Sequence, residues 1–298
     1  MNIGERIREL RISKLMTQAD LAGDRITRNM LSCIENGSAN PSLSTIIYIA
    51  GRLGVPAGFL LAEQGDEMAY RKMSNLSNIK KAYTTGDAQS CRSLCLSGCP
   101  EPDDEISLLL ANCDSAIAVE EFWGGRLRSS CRFFDEALSY AEKTIYSTDS
   151  IEAEIRVYFR YMERISHTLY SDLLDEEKTL SVKSNSIVSQ YLCALDAIDE
   201  DDHTAAKQFI NTFSKDVTSS FFVAHLQNKL LITDGNYKQA QKALQQLLQD
   251  SGTPLNKIEL FTVLEDLEIC CRENEDYKNA YRYASEKVEL LEQLLQEY

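Results

Sequence analysis

The chain has 298 residues, enough for two or three compact units, and 44% hydrophobic against 26% charged residues is a globular composition in which disorder is not expected. The net charge of −15 is unevenly spread: residues 1–66 hold seven Lys/Arg and seven Asp/Glu, so the remaining 24 against 39 carry the whole deficit and an acidic body that repels DNA non-specifically. No window nears the length of apolar run that spans a membrane, and nine cysteines without a secretory signal fit a reducing compartment, so a cytoplasmic chain with no membrane partner is expected.

The fold class expected is all-α. Residues 2–15 read as an amphipathic helix with Ile3, Ile7, Leu10 and Leu15 inward and the arginines outward. Thr17 is an N-cap with Asp20 three residues on, a capping-box variant, and its short helix runs to about Ala22 before Gly23-Asp24 breaks it. Thr27 caps a second helix ending near Asn36-Gly37. Within it Leu31 and Ile34 share one face while Arg28, Asn29, Ser32 and Cys33 fall toward the other, so apolar residues hold the helix down and polar ones remain free. A loop ending in Asn40-Pro41-Ser42 leads to a helix that Gly54 terminates after Leu53, and Pro56 starts a fifth that ends near Ala62. Glu63 to Glu67 is polar, contains glycine and lacks an apolar period, which predicts a linker and a division into domains 1–66 and 67–298.

Thr17-Gln18, Leu21-Ala22, Thr27, Leu31, Ile34-Glu35-Asn36-Gly37, Asn40-Pro41-Ser42, Leu43, Ile46, Ile49-Ala50, Leu53-Gly54-Val55 and Leu60-Leu61 together resemble the Cro/repressor-type (XRE) helix-turn-helix family, over Ile3 to about Leu61. The resemblance implies a five-helix domain whose recognition helix, Thr27 to Asn36, enters the major groove of double-stranded DNA. It assigns Gln18, Thr27, Arg28, Asn29, Ser32, Cys33 and Asn36 to the DNA face and makes Arg11 and Glu35 a structural ion pair without a DNA role. The turn is one residue shorter than in the well-known phage repressors, and Cys33 stands where the family often has a long polar side chain. Base reading therefore leans on Arg28 and Asn29, which suit guanine and adenine respectively. Arg6, Arg8, Lys14, Arg25 and Arg28 are expected on one side, toward phosphates. A domain of this kind that binds only protein is the alternative.

From Tyr70 onward the pattern is helices of 12 to 20 residues with short polar breaks, at Gly86, Gly125, Asp201, Gly235 and Glu275. Two residues beyond these breaks stand Ala88, Leu127, His203, Tyr237 and Tyr277. Five beyond stand Cys91, Ser130, Ala206, Ala240 and Ala280; nine beyond stand Cys95, Phe134, Ile210, Leu244 and Ala284. This resembles the second helix of a tetratricopeptide repeat and implies a right-handed helical array, with an irregular helical bundle as the alternative. The doubled gap from Gly125 to Asp201 predicts a disguised repeat between Ile151 and Leu180. The final helix, Tyr281 to Tyr298, is acidic and leucine-rich and suits a cap or a dimer contact.

Cys91, Cys95 and Cys99 lie along one helical face, but four-residue spacing is not that of zinc sites, and buried slots for small residues account for them, as for Cys270-Cys271. His167, His203 and His225 fall in different elements, the acidic runs Asp172 to Glu177 and Glu200 to Asp202 lack calcium-loop spacing, and no glycine-rich phosphate loop exists. No metal, no cofactor and no enzymatic activity are expected.

Counting back from each repeat start places a concave lining. It comprises Asn112, Ser115, Val119 and Phe122; Val188, Tyr191, Leu195 and Ile198; Phe222, His225, Lys229 and Ile232; and Thr262, Glu265, Ile269 and Arg272. Of these Asn112, Ser115, Phe122, Tyr191, Phe222, His225, Lys229, Glu265 and Arg272 are candidates to hold a peptide, in a mostly apolar groove with a few polar groups. Asn112 suits a backbone clamp, and Lys229 and Arg272 suit a terminal carboxylate. The same residues could equally pack neighbouring helices. The combination of the two parts resembles the Rgg/PlcR-type peptide-responsive regulators of Gram-positive bacteria. That implies a cytoplasmic homodimer that binds a palindromic operator and whose repeats sense a short imported peptide. A regulator whose repeats bind a protein partner, and an adaptor with no operator of its own, stay open beside it.

Overall fold

Helices start in this computed structural model where the sequence supplies a side-chain oxygen for the first free N–H groups, and they stop where the backbone turns left-handed. The structure describes residues 2–62, 67–99, 101–166, 168–169, 186–213, 220–249 and 254–296. The linker stretch 63–66, His167, the acidic run 172–177 and the second half of the disguised repeat lie outside them. The described residues form helices joined by turns and loops, with no strand among them. The chain divides into two compact units, Met1–Pro102 and Asp103–Tyr298.

In the first unit α1 (Ile3–Ser13) is closed by a full capping box between Asn2 and Glu5. Leu15 adopts φ +55°, ending the helix early, and stands 93% exposed. It was expected inward; the left-handed residue breaks the helical phase that would have carried it there. Arg6 corrects the sequence reading in the opposite direction. It is buried, and its Nη1 donates to the carbonyls of Phe59 (3.0 Å), Leu60 (3.3 Å) and Ala62 (2.7 Å), which satisfies the free carbonyl end of a helix and leaves it unavailable to phosphates.

Next come α2 (Gln18–Ala22), α3 (Arg28–Glu35), α4 (Leu43–Leu53) and α5 (Ala57–Leu61). Thr17 and Asp20 form the expected capping box, Thr27 Oγ1 accepts from Met30 N–H, and Ser42 Oγ accepts from Thr45 N–H. Gly23 sits at φ +59°, and a Cβ there would lie 2.4 Å from the Tyr48 hydroxyl. That close approach lets Tyr48 donate to Ala22 O at 3.0 Å and pin the short turn. Ile7, Leu21, Leu31, Ile34, Ile49, Leu53 and Leu60 make the core beneath.

The hairpin of α6 (Glu67–Thr84) and α7 (Ala88–Gly98) falls within the first compact unit, where α6 packs on α5 as well as on α7.

The second unit comprises α8 (Asp104–Trp123) with α9 (Leu127–Ala141), α10 (Asp149–Ile165), α11 (Ile187–Asp199) with α12 (Thr204–Phe213), α13 (Ser220–Thr233) with α14 (Tyr237–Gln249), and α15 (Lys257–Glu273) with α16 (Tyr277–Leu294). Every repeat break read from the sequence has positive φ: Gly86 +74°, Gly125 +72°, Asp201 +65°, Gly235 +75° and Glu275 +61°. The following residue donates to a carbonyl five positions back in each case. The pairs are Asp87 to Ala82, Arg126 to Glu121, Asp202 to Ala197, Asn236 to Leu231 and Asp276 to Cys271, at 2.7–3.0 Å, and this shared helix-ending motif gives the hairpins one turn geometry.

Cys91, Ser130, Ala206, Ala240 and Ala280 are buried, as their small-residue slots require. Ser130 Oγ donates to Ala118 O at 2.7 Å across its hairpin, and Cys91 Sγ lies 3.8 Å from Ile79 O in the equivalent place. In two hairpins the second slot shifts by one residue: Phe209 and Tyr283 are buried, whereas Ile210 and Ala284 are half-buried. The larger ring occupies the interior.

The last helix was expected to serve as a cap or a dimer contact. It spans Tyr277–Leu294, its Leu290 and Leu294 are buried, and Arg128 Nε donates to Leu295 O at 2.7 Å, so its leucines pack inward and its end returns to the α8–α9 turn. Its outward stripe is Tyr277, Tyr281 and Val288, which are 67%, 78% and 54% exposed.

Candidate nucleic-acid interface and repeat centre

The exposed face of α3 carries Arg28, Asn29 and Cys33, flanked by Thr27 and Asn36, with Ser32 half-buried. Met30 joins them at 41% exposure; it is an apolar residue off the Leu31/Ile34 phase, and that mismatch was the available signal for it. An exposed thioether there suits a thymine methyl. Gln18 is held by its Nε2, which donates to Glu35 Oε2 at 2.8 Å. Glu35 is buried and also takes Arg11 Nε at 2.7 Å and Nη2 at 3.0 Å, so the implied ion pair forms. Burial pushes the Glu35 carboxyl up, but hydrogen bonds from Arg11 and Gln18 together with the Arg11 charge outweigh it and hold the group below its ordinary range. One fixed carboxylate thereby ties α1, α2 and α3 and orients the Gln18 amide. Arg8, Lys14 and Arg25 are exposed; Arg25 lies over the Tyr48 ring at 5.6 Å.

The concave lining is not an open groove. Phe122, Tyr191, Phe222, Ser115 and His225 are buried, Asn112, Lys229 and Glu265 are half-buried, and Arg272 is exposed beside Glu273 at 3.4 Å. Aromatic rings fill the centre. Trp123 lies 6.1 Å from Phe222, 6.0 Å from Tyr161 and 6.4 Å from Tyr158, and Tyr191 lies 4.6 Å from Phe222. Asn112 Nδ2 donates to Leu108 O of its own helix at 2.8 Å.

Within this packing runs a polar chain: Tyr191 Oη meets His225 Nδ1 at 2.8 Å, His225 Nε2 meets Asp266 Oδ2 at 3.0 Å, and Lys229 Nζ donates to Asp266 Oδ1 at 2.7 Å. Burial drives the Asp266 carboxyl up, yet His225 and Lys229 hold it down at about 2. Burial raises the Tyr191 hydroxyl well above its ordinary value. Lys229 thus already holds one carboxylate, that of Asp266.

Asp266 escaped the sequence reading, although an acid in phase with Val263, Leu267 and Cys270 was a signal. Asn228, Trp123, Tyr158, Tyr161 and Arg164 escaped it too. Asn228 Oδ1 and Ser115 Oγ are buried and have no hydrogen-bond partner among the described residues. A cavity of about 30 Å³ remains, and Tyr191, Leu195, His225, Lys229, Thr262 and Glu265 from the expected lining converge on it with Tyr161, Arg164, Ile165 and Phe261.

Cys91, Cys95 and Cys99 are buried, and burial, with Cys91 and Cys99 beside it, pushes the Cys95 thiol up to about 12.

Five short helices, a pinned turn and an exposed third helix define a helix-turn-helix domain joined to stacked helical hairpins. Residues 7–60 match the helix-turn-helix family HTH_3, and that stretch is a domain of this family. The immunity repressor protein of Bacillus phage phi105 is 29% identical over 116 residues, covering 37% of this chain and 81% of the phage protein. Among solved structures, Bacillus thuringiensis PlcR in complex with the peptide PapR7 and DNA is 15% identical, with 98% of this chain and 96% of that one covered at a TM-score of 0.29. The apo form of the competence regulator ComR from Streptococcus vestibularis is 19% identical, with 90% and 97% covered at a TM-score of 0.29. No helix among the described residues is long and apolar enough to cross a membrane.

Proposed function

We propose that this chain is a sequence-specific DNA-binding transcriptional regulator that acts in the cytoplasm, without enzymatic activity, as a homodimer on a two-fold symmetric operator. The observation that carries it is the exposed Arg28, Asn29, Met30 and Cys33 face of α3, on a helix whose opposite side is locked into the core. One helix of this length reads only a few base pairs and requires a second half-site. The likeness to a phage immunity repressor supports the reading. Selection of binding sites from random duplexes by the full chain tests it: an enriched palindrome is expected, and uniform binding without a motif overturns it.

The second unit is the sensor in this proposal, taking a short peptide at the aromatic centre. Asn228 Oδ1 and Ser115 Oγ have no hydrogen-bond partner among the described residues, a state that costs about 1–3 kcal/mol for each buried group and that a ligand's N–H groups would relieve. Control by a protein partner in place of a peptide is favoured by one observation, the small size of the space now open. Calorimetric titration of peptides into the parent and Asn228→Ala separates the two, since a partner bound on the outer surface is indifferent to Asn228.

A further inference from the structure

The cations around the central cavity are already matched. Arg164 spends Nη1 on Asp196 at 2.7 Å and Nη2 on Asp199 at 2.8 Å. Lys229 is bonded to Asp266 at 2.7 Å, and His225 lies between Tyr191 and that same carboxylate. Glu265 differs. Its nearest cation in an ion pair is Lys287 at 3.8 Å, and Lys287 is itself bonded to Glu268 at 2.7 Å. The two lining cations, Arg164 and Lys229, are therefore paired, while the lining carboxylate of Glu265 has only the 3.8 Å contact to Lys287 among the ion pairs of the described residues, with the rings of Tyr161, Tyr191 and Phe261 beside it. About 30 Å³ holds one or two groups the size of water. An ammonium has that size, whereas a planar guanidinium or a carboxylate is larger and the latter would meet Glu265 as a like charge. Aromatic walls favour a cation further.

Resting on the peptide-sensing reading, we infer that this cavity receives a primary ammonium group of the ligand, with Glu265 as its counter-ion. The group comes from a peptide N-terminus or from a lysine side chain. The inference replaces the terminal carboxylate that Lys229 and Arg272 suggested, because Lys229 is occupied and Arg272 is exposed on the outside.

The test uses the full chain and heptapeptide pools drawn from Leu, Ile, Val, Phe, Ser and Gly, with free N-termini, with acetylated N-termini, and acetylated with one lysine added. Peptides retained on ultrafiltration are counted by mass spectrometry. Retention of the free-amine pool is expected to exceed that of the acetylated, lysine-free pool by roughly 10- to 100-fold, as a charged hydrogen bond implies. Glu265→Gln, checked for folding by its thermal melt, should abolish the preference. Glu268→Gln should reduce it, by releasing Lys287 to Glu265. Retention of the acetylated lysine pool assigns the role to a side-chain ammonium, and its absence assigns it to the N-terminus. Equal retention of all three pools, or an unchanged preference in Glu265→Gln, overturns the ammonium inference alone. No retention of any pool removes the peptide-sensing reading and the inference with it.

Discussion

Lys229 on α13 and Asp266 on α15 form an ion pair at 2.7 Å in which the carboxylate has no solvent exposure. A buried pair of this kind stabilises little relative to apolar residues of similar size, but removing one member leaves an uncompensated charge. Asp266→Ala should thus lose about 3–5 kcal/mol in urea unfolding, and Lys229→Met with Asp266→Leu should recover most of it. The pH dependence has a definite sign. A carboxyl lowered to about 2 in the fold contributes stability that is complete above its ordinary range near 4 and is lost as pH falls through about 2. Acid unfolding of Asp266→Asn should lack that component; identical acid midpoints would remove the pair from the stability of the unit.

On DNA, Arg28→Ala and Asn29→Ala should each weaken binding to the best site by about 1–3 kcal/mol and relax selection at one base position. Gln18→Ala should weaken all duplexes more evenly. Titration of a selected site and a scrambled duplex, for each variant, provides the comparison.

Glu275 occupies a left-handed position at φ +61°, where four other turns of the same form include three glycines. The steric relief of about 1–2 kcal/mol on replacing it exceeds the added chain entropy of glycine, about 0.5–1 kcal/mol. Glu275→Gly should therefore raise stability by up to about 1 kcal/mol, read as a higher melting midpoint. A lower midpoint would mean that the glutamate side chain contributes more than its backbone strain removes.

If the second unit dimerises through α16, its outward Tyr277, Tyr281 and Val288 stripe is the available surface, since Leu290 and Leu294 face inward. Tyr281→Glu in the full chain should sediment as a monomer and need a higher concentration for operator binding. An unchanged dimer would assign the contact elsewhere.

The sequence made the local devices readable. Thr17 with Asp20, Thr27, Ser42 and Gly54 each act within a few residues, and the five repeat breaks follow from one turn geometry, so spacing alone located them. Arg6, Leu15 and Asp266 were misplaced or missed for a different reason. A single left-handed residue moved Leu15 outward, carbonyls 53 to 56 residues away drew Arg6 inward, and partners on another helix allowed a carboxylate into the core. The closure of the lining was equally hidden. Periodicity says which residues face the inside of a stack but not how tightly the stack curves, and here the curvature brings Trp123 against Phe222.

The bond from Arg128 to Leu295 has a mechanical consequence. A linear stack of hairpins frays from its ends, because each hairpin answers only to its neighbours. Tying the last helix to the first turn of the second unit gives the stack a closed circuit in place of two free ends. Widening the centre to admit a guest then cannot be absorbed by loosening one terminal hairpin; either every joint yields a little or the clasp at Arg128 opens.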